Sequence, residues 1–195
     1  MKIYLIRHGE TDYNKRKLFY GATDVPLNQT GVNQAVALRE KLAWLPVDLP
    51  VFTSKLLRAV ETAELVFPDQ KKVALSSFNE KDFGCWEGLT ADEIAEKYPE
   101  EWQSWLENPF EVTPPAAESF VHFRQRVLKG FDQLLQDNQD VVLVAHGGVL
   151  RVAVQACFPE KDFWEIDITQ GNYTVLQFQQ GRFFMVHNED EETAY

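Results

Sequence analysis

The chain has 195 residues, 30 acidic against 19 basic side chains and a formal charge of −11, with 45% hydrophobic and 25% charged residues. A single globular domain of this size should bury roughly 70% of its unfolded surface and needs no disulfide or metal staple. The negative charge excludes a broad surface for nucleic acid or an anionic membrane but leaves room for a small, locally positive pocket.

In chain order, Lys2–Ile6 reads as a short buried strand that stops at the polar run Arg7-His8-Gly9-Glu10-Thr11-Asp12. That apolar opening is too short for a secretory signal, and no stretch approaches the length of a membrane span, so a cytoplasmic protein is expected. The two cysteines, Cys85 and Cys157, form no C-x-x-C pair and are expected reduced. Thr30-Gly31 opens a helical pattern with Ala35, Leu38, Leu42 and Leu45 on one face, closed by Pro46. Leu49–Thr53 is strand-like, Leu56–Phe67 helical, and Val73–Ser76 a further strand.

Between about 78 and 119 the pattern changes, and this stretch is predicted to be an insert beside the sheet. It holds a capping box at Thr90-Ala91-Asp92-Glu93, then Trp102, Trp105 and Leu106 on one helical face, then Pro109, Pro114 and Pro115. A helix from Glu118 to about Asn138 rejoins the core through Phe120, Phe123, Val127, Phe131 and Leu134. Val141–Ala145 is the clearest buried strand. Gly147-Gly148 leads from it into a helix ending at Cys157, and Tyr173–Gln179 with Arg182–His187 looks like a closing hairpin. The acidic end, Glu189–Tyr195, is expected to fray. Strands alternating with helices predict one α/β domain over 1–195, a three-layer α/β/α sandwich around a mostly parallel sheet, with the small helical insert.

No G-x-S-x-G, G-x-x-x-x-G-K, G-x-G-x-x-G or H-E-x-x-H pattern occurs. Two of the four histidines, His8 and His146, directly follow the end of an apolar strand and directly precede glycine. Ligands of parallel sheets sit outside the carboxyl ends of strands, so both can meet above one sheet. Arg7 shares the first strand end and Arg58 lies at the start of a helix just after another. Two guanidiniums, two imidazoles and glycine-flanked amides match a phosphoryl group, and a neutral imidazole is a competent nucleophile toward phosphorus. A leaving alkoxide also needs a proton. Glu80, Asp82 and Glu87 all compete for that role in Asn79–Gly88, where aromatic Phe83 and Trp86 supply the apolar surroundings that keep an acid protonated.

These segments resemble the histidine phosphatase superfamily, the phosphoglycerate mutase-like proteins, over nearly the whole chain. Arg7-His8-Gly9-Glu10-Thr11 with Asn14 is similar to its signature loop. Thr53–Ala63 is similar to its second motif, Glu80–Gly88 to its proton-donor segment and Ala145-His146-Gly147-Gly148 to its last. The resemblance implies a phosphoric monoester hydrolase with His8 as the nucleophile that becomes phosphohistidine and Glu80 as general acid, then base. It implies Arg7, Arg58 and His146 as the phosphate clamp, with Asn14 and the Gly147 amide assisting. No cofactor and no metal are implied; the partner is a small-molecule phosphomonoester. Within the superfamily, E-x-D-F-G-x-W-E-G, Trp164, Asp167 and Gln170-Gly171 are similar to the alpha-ribazole phosphatases of cobalamin biosynthesis.

The remaining candidates take plainer readings. His122 is assigned to a helix surface and His187 to a strand end, and Glu10 and Glu61 to helix or salt-bridge support. Trp86, Trp102 and Trp105 are read as packing for the insert, against the alternative that one faces an aromatic substrate. Ser119 reads as a helix N-cap or, with Glu118, as part of the site rim. A broad-specificity phosphatase and a phosphoglycerate mutase are the competing functions. A mutase must grip a second anion, and from Lys97 to Arg124 the sequence offers no intervening Lys or Arg, which favours hydrolysis.

Overall fold

Five consecutive apolar residues, Val141–Ala145, leave a strand no face to turn to water, so it belongs mid-sheet with helices on both sides. The computed structural model describes residues 1–186 and places it there, buried at every position. In chain order these residues form β1 (Lys2–Arg7), α1 (Asp12–Lys15), α2 (Gln29–Lys41), β2 (Val51–Thr53), α3 (Leu57–Val66), β3 (Lys72–Ala74), α4 (Ala91–Lys97), α5 (Pro99–Glu107), α6 (Phe120–Leu135), β4 (Val141–Ala145), α7 (Gly147–Cys157), β5 (Tyr173–Gln179) and β6 (Arg182–Val186). Short 3-10 turns at Ser76–Phe78 and Gly84–Trp86 lie between β3 and α4.

The six strands make one sheet in the order β3-β2-β4-β1-β5-β6. The β3-β2, β2-β4 and β4-β1 pairs are parallel, whereas β5 pairs antiparallel with β1 and β6 antiparallel with β5 at the edge. Alternation along the central strands divides the core into two layers. Tyr4, Ile6, Val142 and Val144 pack with Ala35 and Leu38 of α2 and Ala59 and Ala63 of α3. Ile3, Leu5, Val141 and Leu143 pack with Phe123, Val127 and Phe131 of α6 and Leu150 and Ala153 of α7. This is the three-layer α/β/α sandwich predicted from the sequence.

Boundaries shift where backbone chemistry intervenes. β2 begins at Val51, because Pro50 lacks the amide a ladder needs. β3 ends at Ala74, and Ser76 goes into the first 3-10 turn instead of extending the strand. Ser119 caps α6 by accepting the His122 amide, so the helix starts at Phe120 and not at Glu118, and it stops at Leu135. Of the three residues expected on one face of α5, Leu106 is 52% exposed, whereas Trp102 and Trp105 stack on each other at 5.4 Å and pack against Trp86 and Phe19. The capping box at Thr90 and Glu93 is formed as expected. β6 is described to Val186; His187 and the acidic end lie outside the described residues. Among the described residues no helix is long and apolar enough to cross a membrane.

The buried and exposed leucines give a direct check. Leu143→Ala should lower the unfolding free energy by about 2–5 kcal/mol, and Leu106→Ala should change it by less than about 0.5 kcal/mol, read from urea denaturation of each variant.

Candidate active site

Three parallel strands end side by side to make the floor of the site. Arg7 pairs with Ala145 across β1 and β4, and Thr53 with Val144 across β2 and β4. Pairing then runs one rung further. The His8 amide donates to the Ala145 carbonyl (3.0 Å) and the Ser54 amide to the Val144 carbonyl (3.3 Å). His8, His146 and Ser54 therefore emerge together at the C-terminal edge, with the imidazole centroids 5.1 Å apart. The loop carrying His8 lies so close to the start of α2 that a Cβ on Gly9 would stand 2.6 Å from the Gly31 carbonyl oxygen.

His8 is buried, and its Nδ1 lies 2.8 Å from the Gly9 carbonyl oxygen. A carbonyl only accepts, so the ring proton belongs on Nδ1 and Nε2 keeps its lone pair. Burial holds the His8 pKa well below the ordinary histidine value, helped by the charges of Arg58 and Arg7 and opposed by the Gly9 bond. His146 is likewise pushed well down, first by burial and then by Arg58, His8, Arg7 and Arg126.

The two guanidiniums are desolvated and incompletely paired. Arg58 donates from Nη1 to the Thr23 carbonyl (2.9 Å) and from Nη2 to the Gly21 carbonyl (2.8 Å). Arg7 donates from Nη1 to the Ile168 carbonyl (2.9 Å). Each keeps a buried Nε with no partner. Burial lowers both pKa values, yet an arginine stays cationic at any physiological pH. Two unused N–H donors beside a neutral imidazole are a site prepared for an anion.

The structure separates the three acids that the sequence leaves open. Glu87 accepts from the amides of Gly21 (2.9 Å), Ala22 (2.7 Å), Thr23 (2.6 Å) and Phe83 (3.1 Å) and from the Thr23 hydroxyl. Burial works to raise its pKa, but the Thr23 hydroxyl and these amides outweigh it and hold the carboxylate below its ordinary value. It clamps the loop that presents carbonyls to Arg58. Asp82 accepts the Gly84 amide at 2.7 Å and closes a turn. Glu80 alone of the three lines the cavity, oriented by the amides of Lys81 and Gly148, both at 2.9 Å. Gly148 leaves room for that carboxyl, since a Cβ would stand 2.5 Å from Glu80 Oε1 and push it aside. Arg126 fixes the segment from behind: it takes the carbonyls of Ser77 (3.0 Å), Asn79 (2.6 Å) and Glu80 (3.0 Å) and pairs with both Glu118 oxygens (2.7 and 2.8 Å).

The cavity has a volume of about 200 Å³. Of the residues predicted for the site, Arg7, His8, Asn14, Arg58, Glu80 and Gly147 line it. His146 does not: as the residue that leaves the central strand β4 and N-caps α7, it is fully buried behind His8. Its Nε2 lies 2.7 Å from Ser54 Oγ, and its Nδ1 is buried without a partner. Ser119 and Glu118 are helix cap and ion pair and form no rim. Glu10 accepts from Asn28 Nδ2 and Glu61 from the Leu27 amide, both supporting roles. Trp86 is wholly buried as packing, whereas Trp105 also reaches the cavity.

Sequence reasoning misses Tyr20, Lys81 and Arg151 on the cavity wall. The cation-free stretch between Lys97 and Arg124 argues against a grip on a second anion, yet two cations besides Arg7 and Arg58 line the cavity. Lys81 and Arg151 enter from outside the stretch; one signal for them was their position beside Glu80 and four residues into the helix after His146. Both are partly engaged. Lys81 Nζ lies over the Phe83 ring at 4.5 Å and 3.3 Å from the Asp82 carbonyl, and Arg151 Nε donates to the Ile166 carbonyl at 3.1 Å. The outer wall is aromatic: Phe120 and Phe163 flank Phe110, which stacks on Trp164 at 5.7 Å and 14°.

The family model of the histidine phosphatase superfamily (branch 1) matches residues 3–191. An adenosylcobalamin/alpha-ribazole phosphatase of Salmonella typhimurium is 30% identical, covering 93% of this chain and 92% of that protein. A 2,3-bisphosphoglycerate-dependent phosphoglycerate mutase of Arabidopsis thaliana is 28% identical over 93% of this chain, which spans 66% of the plant protein. The crystal structure of an alpha-ribazole phosphatase from Shigella flexneri superposes with a TM-score of 0.88 at 28% identity, covering 95% of each chain.

The desolvated histidines set a pH dependence. Their folded pKa values lie below the unfolded value of about 6.5, so only the unfolded chain takes up their protons as pH falls. Stability should be full above about pH 6.5 and should drop below it, by up to about 1.4 kcal/mol per pH unit for each histidine. Urea midpoints at about pH 7.5 and 5.5 measure the drop. The C2 proton signals of His8 and His146 should stay unshifted over that range, and a full titration of either near pH 6.5 would contradict the buried, neutral pair.

Proposed function

The chain belongs to the histidine phosphatase superfamily, and from that membership we propose that it hydrolyses a phosphomonoester through a phosphohistidine formed on His8. The observation that carries this reading is the buried His8 Nε2, free because Nδ1 is committed to the Gly9 carbonyl, set beside two arginines with unused Nε donors in the cavity that also holds Glu80. In the first step Nε2 attacks phosphorus, the ester P–O bond breaks, and Glu80 gives its proton to the departing oxygen. In the second, water attacks phosphorus and loses a proton to Glu80, and the P–N bond breaks to leave inorganic phosphate and neutral His8. Arg7 and Arg58 hold the equatorial oxygens, with Asn14 Nδ2 and the Gly147 amide alongside.

His146 acts from behind. Ser54 Oγ accepts the Leu56 amide at 3.1 Å and has its own proton to give to His146 Nε2. With Ser54 as the donor, the imidazole proton sits on Nδ1, which is buried without a protein partner next to the His8 ring. The activity is carried on one domain, 1–195, with the stretch at about 78–119 as an insert supplying Glu80 and part of the aromatic wall. The two free thiols, Cys85 and Cys157, support a cytoplasmic setting.

For substrate, we favour alpha-ribazole 5'-phosphate, whose planar base suits the stacked Phe110 and Trp164 at the outer wall. A broad phosphatase is the second reading, and Lys81 with Arg151 on the wall keeps a mutase in the comparison.

Two experiments test this. Mixing with a nitrophenyl phosphate and quenching without acid should put phosphate on His8 by mass spectrometry, and Glu80→Gln should slow the phosphorylation step, read from single-turnover release of the alcohol, by about 10²–10⁴-fold for alkyl phosphates and far less for the nitrophenyl ester. Turnover without phosphate on His8 sinks the mechanism, and equal losses on both esters remove Glu80 as the acid. In a panel of alpha-ribazole 5'-phosphate, 3-phosphoglycerate and sugar phosphates, the ribazole ester should have the highest kcat/KM. Trp164→Ala should lower that value about tenfold, the worth of one stacking contact, and leave sugar phosphates unchanged. Isomerisation of 3-phosphoglycerate faster than phosphate release would favour the mutase.

A further inference from the structure

Tyr20 lies outside the predicted site residues, and the mechanism above gives it no task, yet it touches two of the groups that mechanism depends on. Its hydroxyl lies 2.9 Å from both Asn14 Oδ1 and Thr11 Oγ1. Its ring lies 4.6 Å from the guanidinium carbon of Arg58, and it lines the cavity. Burial raises the phenol pKa, so the hydroxyl keeps its proton and remains a donor.

Asn14 Oδ1 is crowded with donors. Besides Tyr20 it has the Thr11 amide at 3.1 Å, the Thr11 hydroxyl at 3.0 Å and Gln170 Nε2 at 2.9 Å. The two hydroxyls carry two protons for the three short contacts among themselves and Oδ1, so every arrangement directs at least one of them to Oδ1. Turning the amide over would face Nδ2 with the Thr11 amide and Gln170 Nε2, donor against donor. The side chain is therefore held in one sense, with Nδ2 left for the cavity that Asn14 lines.

Arg58 is constrained in the complementary direction. The carbonyls of Gly21 and Thr23 fix two of its N–H groups, and the Tyr20 ring supports the face of the guanidinium. The unpartnered Nε follows from that orientation.

From these contacts we infer that Tyr20 is a positioning residue: its ring sets the plane of Arg58 and its hydroxyl anchors the Asn14 amide in the sense that the Thr11 amide selects, so that one side chain steadies two donors aimed at the phosphoryl group. The inference rests on the reading that a phosphoryl group occupies this cavity.

The test uses inorganic phosphate as a competitive inhibitor of nitrophenyl phosphate hydrolysis. Tyr20→Phe keeps the ring and removes the hydroxyl, and it should raise the Ki for phosphate by about threefold to tenfold. Made on top of Asn14→Ala, the same change should add almost nothing, because the amide it serves is gone. Tyr20→Leu should raise Ki about tenfold further, and that increment should shrink in an Arg58→Lys background. A purely structural tyrosine would lower the melting temperature and scale activity without this coupling. Independent, multiplying effects of Tyr20→Phe and Asn14→Ala overturn the inference, as does an unchanged Ki in Tyr20→Phe, which carries the test alone should the leucine variant fail to fold. Absence of phosphate competition in the unaltered chain overturns the reading of the cavity itself, and this inference with it.

Discussion

The hydrogen bond from the His8 amide to the Ala145 carbonyl is the last rung of the β1–β4 ladder, and the chemistry of the site is arranged around it. Parallel neighbours advance in the same direction, so strands whose last rungs coincide release their next residues at one level of the sheet edge. His8 and His146 are brought together by that rule and not by any contact between their own side chains. A slip of one residue in the register would turn every side chain of β1 to the opposite face and move Ile6 into the wrong layer of core. The apolar alternation that stabilises the sandwich is thus the same constraint that sets the imidazole spacing.

Above that floor the dominant energetic fact is the desolvation of positive charge. Two buried guanidiniums on one cavity would be costly if left with nothing to do, and backbone carbonyls meet only part of their need. The carbonyls that hold Arg58 lie on a loop whose amides converge on Glu87, so an acid outside the cavity stiffens the Arg58 side of the pocket. Burial first, and then the same charges, disfavour the protonated form of His8. Arg126 does for the acidic side what Glu87 does for the basic one, holding three carbonyls of the segment that carries Glu80. The cavity wall is in this sense built from two opposed clamps, each made of a charged side chain and a row of backbone groups.

How far the chain could be read in advance follows the range of the interactions. β4 is legible because burial on both faces demands five apolar residues in a row, and the strand-to-glycine junctions at His8 and His146 are legible because sheet topology puts ligands there. Thr90–Glu93 is legible because a capping box is local. Arg126 is not, since nothing near it in sequence marks a guanidinium that reaches back to Ser77, Asn79 and Glu80. The choice among Glu80, Asp82 and Glu87 needs three dimensions for the same reason: their local sequence is similar, and only the distant partners of each, Gly148 for one and Gly21 to Thr23 for another, separate the cavity carboxyl from the loop anchor. Reading the scarcity of cations along one stretch as scarcity in the cavity fails because Lys81 and Arg151 arrive from elsewhere in the chain.

Gly148 shows how narrow the tolerance of such a site is. Its amide holds Glu80, and the space where a side chain would begin is already filled by that carboxyl and the edge of Phe123. A single methyl group at this position would dislodge the carboxyl without removing or adding one ionisable atom. Displacement of a cavity carboxyl can thus arise from a residue with no chemistry of its own, in a chain that keeps every charged and nucleophilic group. For a protein of this family, the integrity of the catalytic apparatus is written as much in an empty volume as in the side chains that surround it.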